Sequence, residues 1–237
     1  MAPVAECNLD TFYMLAPNHA EKLRILCCFF GCLASALRYL HNSRIRHRDI
    51  KPANILVRGD KVYVTDFGIS LDWENLTRGT TTRDTAKTLI YCAPEVARVE
   101  KRNSSSDIWS LGCVFLEMWT VIHGRSIQDL RQYFRDRTES HRFYENRPAI
   151  TDWMAIVLPD CPTWKSDVPT IAGSWIDEML RELPQERPSA HALYRMISNF
   201  KQEWIESSNP FCGGCCIPDD ESSDGDSDGD PLASIQA

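Results

Sequence analysis

Apolar and polar positions alternate along much of this chain with the period of an α-helix. Between residues 19 and 41 the apolar positions recur at alternating spacings of three and four, which predicts one long amphipathic helix. Asn18 followed by Glu21 has the form of a helix N-cap signal. The residues that set the period are Leu23, Leu26, Phe30, Leu33, Leu37 and Leu40.

The other patterned segments predict more helix and little strand. Residues 104–124 begin at a serine and are apolar on nearly every face, as in a helix buried at the centre of a lobe. Two short apolar runs separated by the turn RGD predict a β-hairpin. We therefore predict a mainly α fold of the α+β class with one small hairpin. The remaining predicted elements are strands 55–57 and 62–64 and helices 126–137, 170–183 and 189–206.

The net charge of the chain is concentrated in its last residues. The formal net charge is −7, and seven of the 33 acidic residues lie in the stretch 219–230. The other 26 acidic residues balance the 26 Lys and Arg, so the body of the chain has no positive excess. Because contacts to nucleic-acid phosphates need clustered Lys and Arg, we expect no direct nucleic-acid binding.

The composition of the first forty residues indicates an intracellular chain, cytoplasmic or nuclear. The N-terminus MAPVAECNLD lacks the basic, apolar and small-residue order of a secretory signal. The longest apolar run, residues 25–37, would extend only about 20 Å as a helix against a hydrocarbon core of roughly 30 Å, so no membrane span is predicted. The ten cysteines are then expected to be reduced thiols, with Cys27, Cys28 and Cys32 as small residues of the helical core.

Three short motifs carry the chemistry of the chain. They are HRDIKPAN at 47–54, DFG at 66–68 and APE at 93–95, with the predicted hairpin between the first two. In this order, they resemble the catalytic loop, the metal-binding motif and the end of the activation segment of the eukaryotic protein kinases. A lysine at position 51 followed by proline resembles the serine/threonine branch of that family.

The resemblance implies ATP and Mg²⁺ as cofactors and a protein hydroxyl as the acceptor. Asp49 would accept or orient the hydroxyl proton, and Lys51 would lie near the transferred phosphate. Asn54 and Asp66 would bind Mg²⁺ through the hard oxygen ligands that this ion prefers. Ala5, in the segment that resembles the hinge, would contact the nucleotide.

Regulatory and structural residues follow from the same resemblance. Arg48 would receive a phosphate of the activation segment, and Thr88 would contact both Asp49 and Lys51. The Gly and Pro that flank this threonine in the family are Lys87 and Leu89 here, so the substrate-facing loop is atypical. The candidate phosphorylation sites are Thr80, Thr81, Thr82 and Thr85.

Two long-range contacts are also implied by the resemblance. Asp107 would hydrogen-bond the backbone of the catalytic loop, although an acidic residue at a helix N-terminus is also favoured by the dipole alone. Arg187 would form a buried ion pair with Glu95.

The resemblance covers the C-terminal lobe of a kinase domain. Residues 1–17 resemble the hinge and the first short helix, 18–206 the C-terminal lobe, and 207–237 predict a disordered tail with cysteines and acidic residues. The N-terminal lobe is missing from this sequence, because the first glycine is Gly31 and no G-x-G-x-x-G or V-A-I-K-like strand lysine occurs. The face near the hinge would then be exposed, and a partner could cover it.

Three functions are compatible with these features. The first is a serine/threonine protein kinase represented by a truncated catalytic domain, which on its own we expect to be weakly active or inactive. The second is a catalytically inactive kinase-like binding or scaffold module, favoured by the missing lobe and the atypical loop. The third, a small-molecule phosphotransferase, is disfavoured by the APE motif and the threonine-rich segment. CGGCC at 212–216 lacks a fourth nearby zinc ligand and is interpreted as unmodified tail, with acylation as the alternative.

Overall fold

Two long helices form the centre of the fold. The computed structural model describes residues 5–17, 19–66, 71–72, 89–100, 103–158, 168–200 and 209–213. In chain order, the helices are α1 (Leu9–Leu15), α2 (Ala20–Asn42), α3 (Pro94–Ala97), α4 (Ser104–Ile122), α5 (Ile127–Thr138), α6 (Arg147–Val157), α7 (Val168–Met179) and α8 (Ala190–Ser198). The strands are β1 (Cys7–Asn8), β2 (Ile45–Arg46), β3 (Ile55–Arg58), β4 (Lys61–Val64) and β5 (Leu71–Asp72).

Helix α4 is the core of the molecule. Nearly all of its side chains from Asp107 onward are buried, and α2, α5 and α7 pack around it. Helix α2 buries its apolar stripe against α4 and α8. The predicted mainly α fold is therefore confirmed, and so is the buried central helix.

The strands form two small sheets at one end of the helices. Strands β3 and β4 pair as the predicted hairpin, with Ile55 opposite Val64, and β1 adds to the other edge of β3. The hairpin turns at Gly59, whose φ of 56° lies in the left-handed region that glycine adopts without steric cost. Strands β2 and β5 form a separate two-stranded sheet.

Helix α2 has the length and apolar composition of a membrane-crossing helix, unlike the shorter run considered from the sequence. In its most apolar 18-residue window, however, 56% of the residues are buried inside the protein. Core helices of soluble proteins pass the same test of length and composition, so this helix is weak evidence for a membrane span.

Several predicted helix ends differ from the observed ones because other groups cap them. The predicted cap Asn18 lies outside the described residues, and His19, the observed N-cap of α2, makes no capping bond through its side chain. Helix α4 is capped by Asn103, which accepts from the Ser105 amide at 3.0 Å, rather than by a serine. Helix α7 ends at Met179 instead of 183, and the carbonyls of Arg181 and Glu182 accept hydrogen bonds from the Arg187 guanidinium instead of from helical amides.

Helix α6 was not predicted from the sequence. It begins after Asn146, with Pro148 in its first turn, where a missing amide hydrogen costs nothing. Its buried positions Ile150, Trp153 and Val157 repeat at helical spacing. The signal was therefore present in the sequence but was overlooked.

The boundary of the tail at residue 207 is wrong for residues 209–213, which we call the C-terminal anchor. Asn209 donates from Nδ2 to the carbonyls of Ile197 and Ser198, and so ends α8, which was predicted to continue to 206. Phe211 is 1% exposed and packs edge-on against Phe30 and Trp175. A single aromatic side chain gives this segment enough apolar burial to be ordered.

Candidate active site

A buried carboxylate at the start of α4 holds the HRD turn. Asp107, 2% exposed, accepts hydrogen bonds from the backbone amides of His47 at 3.0 Å and Arg48 at 2.8 Å. Arg48 has a φ of 70°, which is uncommon for a residue other than glycine. The two bonds to Asp107 stabilise this turn. Asp107 thus lies where the resemblance placed it.

A histidine that the sequence interpretation missed completes this anchor. The Nε2 atom of His41 lies 3.0 Å from Asp107 Oδ2, and His41 belongs to the last turn of α2. The helix that leads into the motif is therefore tied to the same carboxylate as the motif itself. The sequence signal for this contact was the position of His41, a polar residue directly after buried Leu40 at the end of an apolar helix.

Asp49, Lys51 and Asn54 form one cluster. The Oδ2 atom of Asp49 lies 2.6 Å from Lys51 Nζ and 2.9 Å from Asn54 Nδ2. Asn54 Nδ2 also donates to the Asp49 carbonyl at 2.9 Å. Asp49 is 6% exposed, so its carboxylate is held by neighbouring donors and not by bulk water. The cluster places a carboxylate base beside a fixed positive charge.

The ring of His47 links this cluster to the end of β4. Its Nδ1 accepts from the Asp49 amide at 3.3 Å, and its Nε2 lies 2.8 Å from the carbonyl of Thr65. This pattern requires the ring proton on Nε2. Thr65 in turn donates from its amide and its hydroxyl to the Asn54 carbonyl, at 2.9 and 3.1 Å. The catalytic loop and the residue before Asp66 are thereby joined.

Asn54 and Asp66 are the residues that could hold Mg²⁺. The amide nitrogen of Asn54 is engaged by Asp49, which leaves its amide oxygen for a hard cation. Asp66 is exposed, has a φ of 65° and lies two residues after the end of β4. One carboxylate and one amide oxygen, completed by phosphate and water, is a donor set that suits Mg²⁺. The residues present therefore fit the metal that the resemblance implies.

A buried bidentate ion pair joins α3 to the loop after α7. Arg187 Nη1 and Nη2 lie 2.8 and 2.9 Å from the two carboxylate oxygens of Glu95. Ser106 adds a hydroxyl bond at 2.9 Å to the same carboxylate. Burial alone would raise the pKa of Glu95, but the hydrogen bonds from Arg187 outweigh it and the pKa is lowered. The structure thus contains the pair that the resemblance implied.

A further buried acid, Glu117, was not singled out from the sequence. Tyr91 donates its hydroxyl toward both oxygens of Glu117, at 3.0 and 3.1 Å, and Arg131 Nη2 lies 3.5 Å away. Burial raises the pKa of Glu117 to about 7, and Arg131 acts against this rise. Apart from Asp107, Glu117 is the only charged residue within α4, which was the overlooked signal.

Tyr91 also borders a cavity of about 160 Å³ next to the catalytic loop. Arg48 and Asp49 line this cavity together with Leu89 and Cys92. The catalytic loop and the segment that precedes APE therefore border one space.

The remaining predicted site residues are only partly described. Ala5 is half-buried, and the next residue, Glu6, donates its amide to the Val57 carbonyl at 3.0 Å, which fixes the hinge-like segment to β3. The five threonines predicted from the resemblance lie outside the described residues: Thr80, Thr81, Thr82, Thr85 and Thr88.

Comparison with known proteins identifies the family. Residues 8–197 match the family model described as the protein kinase domain, and the chain therefore belongs to this family. Among its relatives, cyclin-dependent kinase E-1 of Arabidopsis thaliana is 29% identical over 179 residues, which are 70% of this chain and 38% of the relative. The serine/threonine-protein kinase Nek4 of Mus musculus is 34% identical over 172 residues, covering 70% of this chain and 19% of the relative.

A third relative covers a similar share of the chain. The cell division control protein 2 homolog 3 of Trypanosoma brucei brucei is 34% identical over 182 residues, which are 68% of this chain and 55% of the relative. The chain thus spans between about a fifth and about half of the length of these relatives.

Proposed function

We propose that this chain provides the C-terminal lobe of a serine/threonine protein kinase that transfers the γ-phosphate of ATP to a protein hydroxyl. The observation that carries the proposal is the Asp49–Lys51–Asn54 cluster, held by Asp107 through the backbone. Phosphoryl transfer leaves little covalent chemistry to the protein and depends on positioning and on neutralising charge. A buried base beside a fixed ammonium group meets these requirements.

Each residue of the cluster has a distinct task. Asp49 orients the acceptor hydroxyl and takes its proton, while Lys51, whose Nζ lies 2.6 Å from Asp49 Oδ2, places a positive charge beside the carboxylate and the transferred phosphate. Asn54 keeps the carboxylate in position through Nδ2 and offers its oxygen, together with Asp66, to Mg²⁺. Bound Mg·ATP would supply the phosphoryl group and neutralise its charge.

The inactive binding module is the competing proposal. It is favoured by Leu89, which stands where the family has proline and lines the cavity beside Asp49. A partner over the hinge face and an intracellular location stay proposals of the same kind.

The test compares two proteins in a radiolabelled phosphate-transfer assay with basic serine, threonine and tyrosine peptides. One is the 237-residue chain, and the other is an extended protein in which an N-terminal lobe with the glycine-rich loop and strand lysine precedes residue 1. We expect negligible transfer by the first and phosphoserine or phosphothreonine products from the second. Lys51→Ala should abolish most of that transfer, whereas Lys61→Ala, at the exposed first residue of β4, should not.

Two results would contradict the proposal. If the folded extended protein binds Mg·ATP but transfers nothing, the binding-module function is favoured. Phosphotyrosine as the main product would overturn the serine/threonine assignment.

A further inference from the structure

Two cysteines, Cys28 and Cys212, lie where the C-terminal anchor contacts α2. The thiol of Cys28 donates to the carbonyl of Pro210, with Sγ and O 3.5 Å apart. Cys212 lies on the neighbouring position of the helix, because a Cβ added to Gly31 would be 2.8 Å from Cys212 Sγ and 3.3 Å from its Cα. Neither cysteine is fully buried, and neither is in a disulfide.

Both cysteines lie over the same face of α2. Cys28 and Gly31 are three residues apart on a helix, so they share a face with roughly 5–6 Å between their Cβ positions. Cys212 lies directly on Gly31, and the Cys28 thiol contacts the carbonyl of Pro210, two residues before Cys212. A disulfide needs Cβ atoms about 3.5–4.5 Å apart. The two thiols therefore start from neighbouring positions, and joining them requires rotation of their side chains and a small shift of the anchor.

The neighbouring cysteines of α2 are less suited to this bond. Cys32 is buried in the core at 5% exposure, and Cys27 packs against the core cluster. The Cys28 thiol, in contrast, contacts the anchor through the Pro210 carbonyl.

We propose that Cys28 and Cys212 form a reversible disulfide when the protein meets a hydroperoxide. One sulfur, as thiolate, attacks the peroxide, the O–O bond breaks, and a sulfenic acid forms while the released oxygen leaves as water or alcohol. The second sulfur then attacks the sulfenic sulfur, the S–O bond breaks and water leaves. The two thiols lose two protons and two electrons, and one peroxide is reduced. A small thiol reverses the reaction by exchange.

The bond would attach the anchor covalently to the helix that leads into the catalytic loop. The last turn of α2 contains His41, whose ring contacts Asp107 and so shares the carboxylate that holds the HRD turn. Closing a loop from Cys28 to Cys212 restricts the unfolded chain, and the oxidised protein should unfold at a higher temperature, by roughly 4–16 °C. The inference does not depend on kinase activity.

The experiment treats the whole chain with one to ten equivalents of hydrogen peroxide, blocks free thiols with iodoacetamide, and digests it with trypsin without reductant. Tryptic cleavage gives a peptide of residues 25–38 and a peptide of residues 202–237. We expect these two peptides to be linked after oxidation and separate again after dithiothreitol. Cys28→Ser and Cys212→Ser should each abolish the link, whereas Cys27→Ser and the double change Cys215→Ser with Cys216→Ser should keep it.

Two further measurements keep the test decisive if a variant fails to fold. Added chymotrypsin and fragmentation of the linked peptide assign the two sulfurs in the unaltered chain. The melting temperature of the same oxidised sample should return to the reduced value after dithiothreitol. Absence of the linked peptide, or assignment of the bond to cysteines other than 28 and 212, would overturn the proposal.

Discussion

Replacing Gly31 by alanine should destabilise the protein, although the same change stabilises most helices. Gly31 lies inside α2, where alanine is favoured over glycine by about 1 kcal/mol. An alanine Cβ would lie 2.4 Å from the Phe211 carbonyl oxygen and 2.8 Å from Cys212 Sγ. The first contact is with backbone, so it can only be relieved by moving the C-terminal anchor.

The magnitude follows from what the anchor contributes. Gly31 donates its amide to the Phe211 carbonyl at 2.8 Å, a bond worth about 0.5–1.5 kcal/mol. Displacing a buried phenylalanine costs about 3–5 kcal/mol, by analogy with Phe→Ala changes. After the gain in helix propensity, the net loss is about 2.5–5.5 kcal/mol, or a fall in Tm of roughly 5–20 °C.

Gly173 is the matched control, since it also lies inside a helix. The nearest atom to a Cβ there is Met154 Sδ at 4.0 Å, an ordinary contact. Gly173→Ala should therefore stabilise the protein by up to about 1 kcal/mol. The two variants are compared by urea denaturation and by calorimetry. If Gly31→Ala raised Tm as Gly173→Ala does, the anchor would not occupy the position described, and this reasoning would be refuted.

Two further predictions concern the buried charges. Arg187→Ala should lower the free energy of unfolding, measured by urea denaturation, by about 3–5 kcal/mol, because it leaves Glu95 buried without its cation. Arg98→Ala should not change it measurably, since Arg98 and its partner Glu182 are 55% and 61% exposed. Equal effects of both would contradict the buried pair. The pKa of Glu117 is raised from 4.5 to about 7 in the folded protein. Between these pH values the folded protein keeps a proton on Glu117 that the unfolded chain has released, so the free energy of unfolding should fall by about 3 kcal/mol as pH rises from 4.5 to 7. Glu117→Gln should flatten the pH dependence of the unfolding free energy in this range. An unchanged slope would contradict the assignment of this pH dependence to Glu117.

The contacts within the Asp49–Lys51–Asn54 cluster could be predicted because the cluster is local. Asp49, Lys51 and Asn54 lie within six consecutive residues, and their contacts follow from one short turn of the chain. The long amphipathic helix and the hairpin were predicted for the same reason, since their periods are visible in a short window.

The features that sequence analysis missed depend on contacts between distant segments. His41 meets Asp107 across 66 residues, and the buried Glu117 has its partners, Tyr91 and Arg131, on other segments. The C-terminal anchor has a polar, glycine-rich composition around it, and Phe211 is its fully buried side chain. Composition averaged over a window cannot show that one aromatic residue completes a core formed by distant helices.

The central claim is that Asp49 belongs to a working phosphoryl-transfer site. The most direct test is the initial rate of phosphate transfer by the extended protein and by its Asp49→Ala variant, with Asp60→Ala, in the exposed hairpin turn, as the control. We predict a loss of about 10²–10⁴-fold for Asp49→Ala, the contribution expected of a positioned general base, and no loss for Asp60→Ala. Equal rates for the parent and the Asp49→Ala variant would contradict the claim.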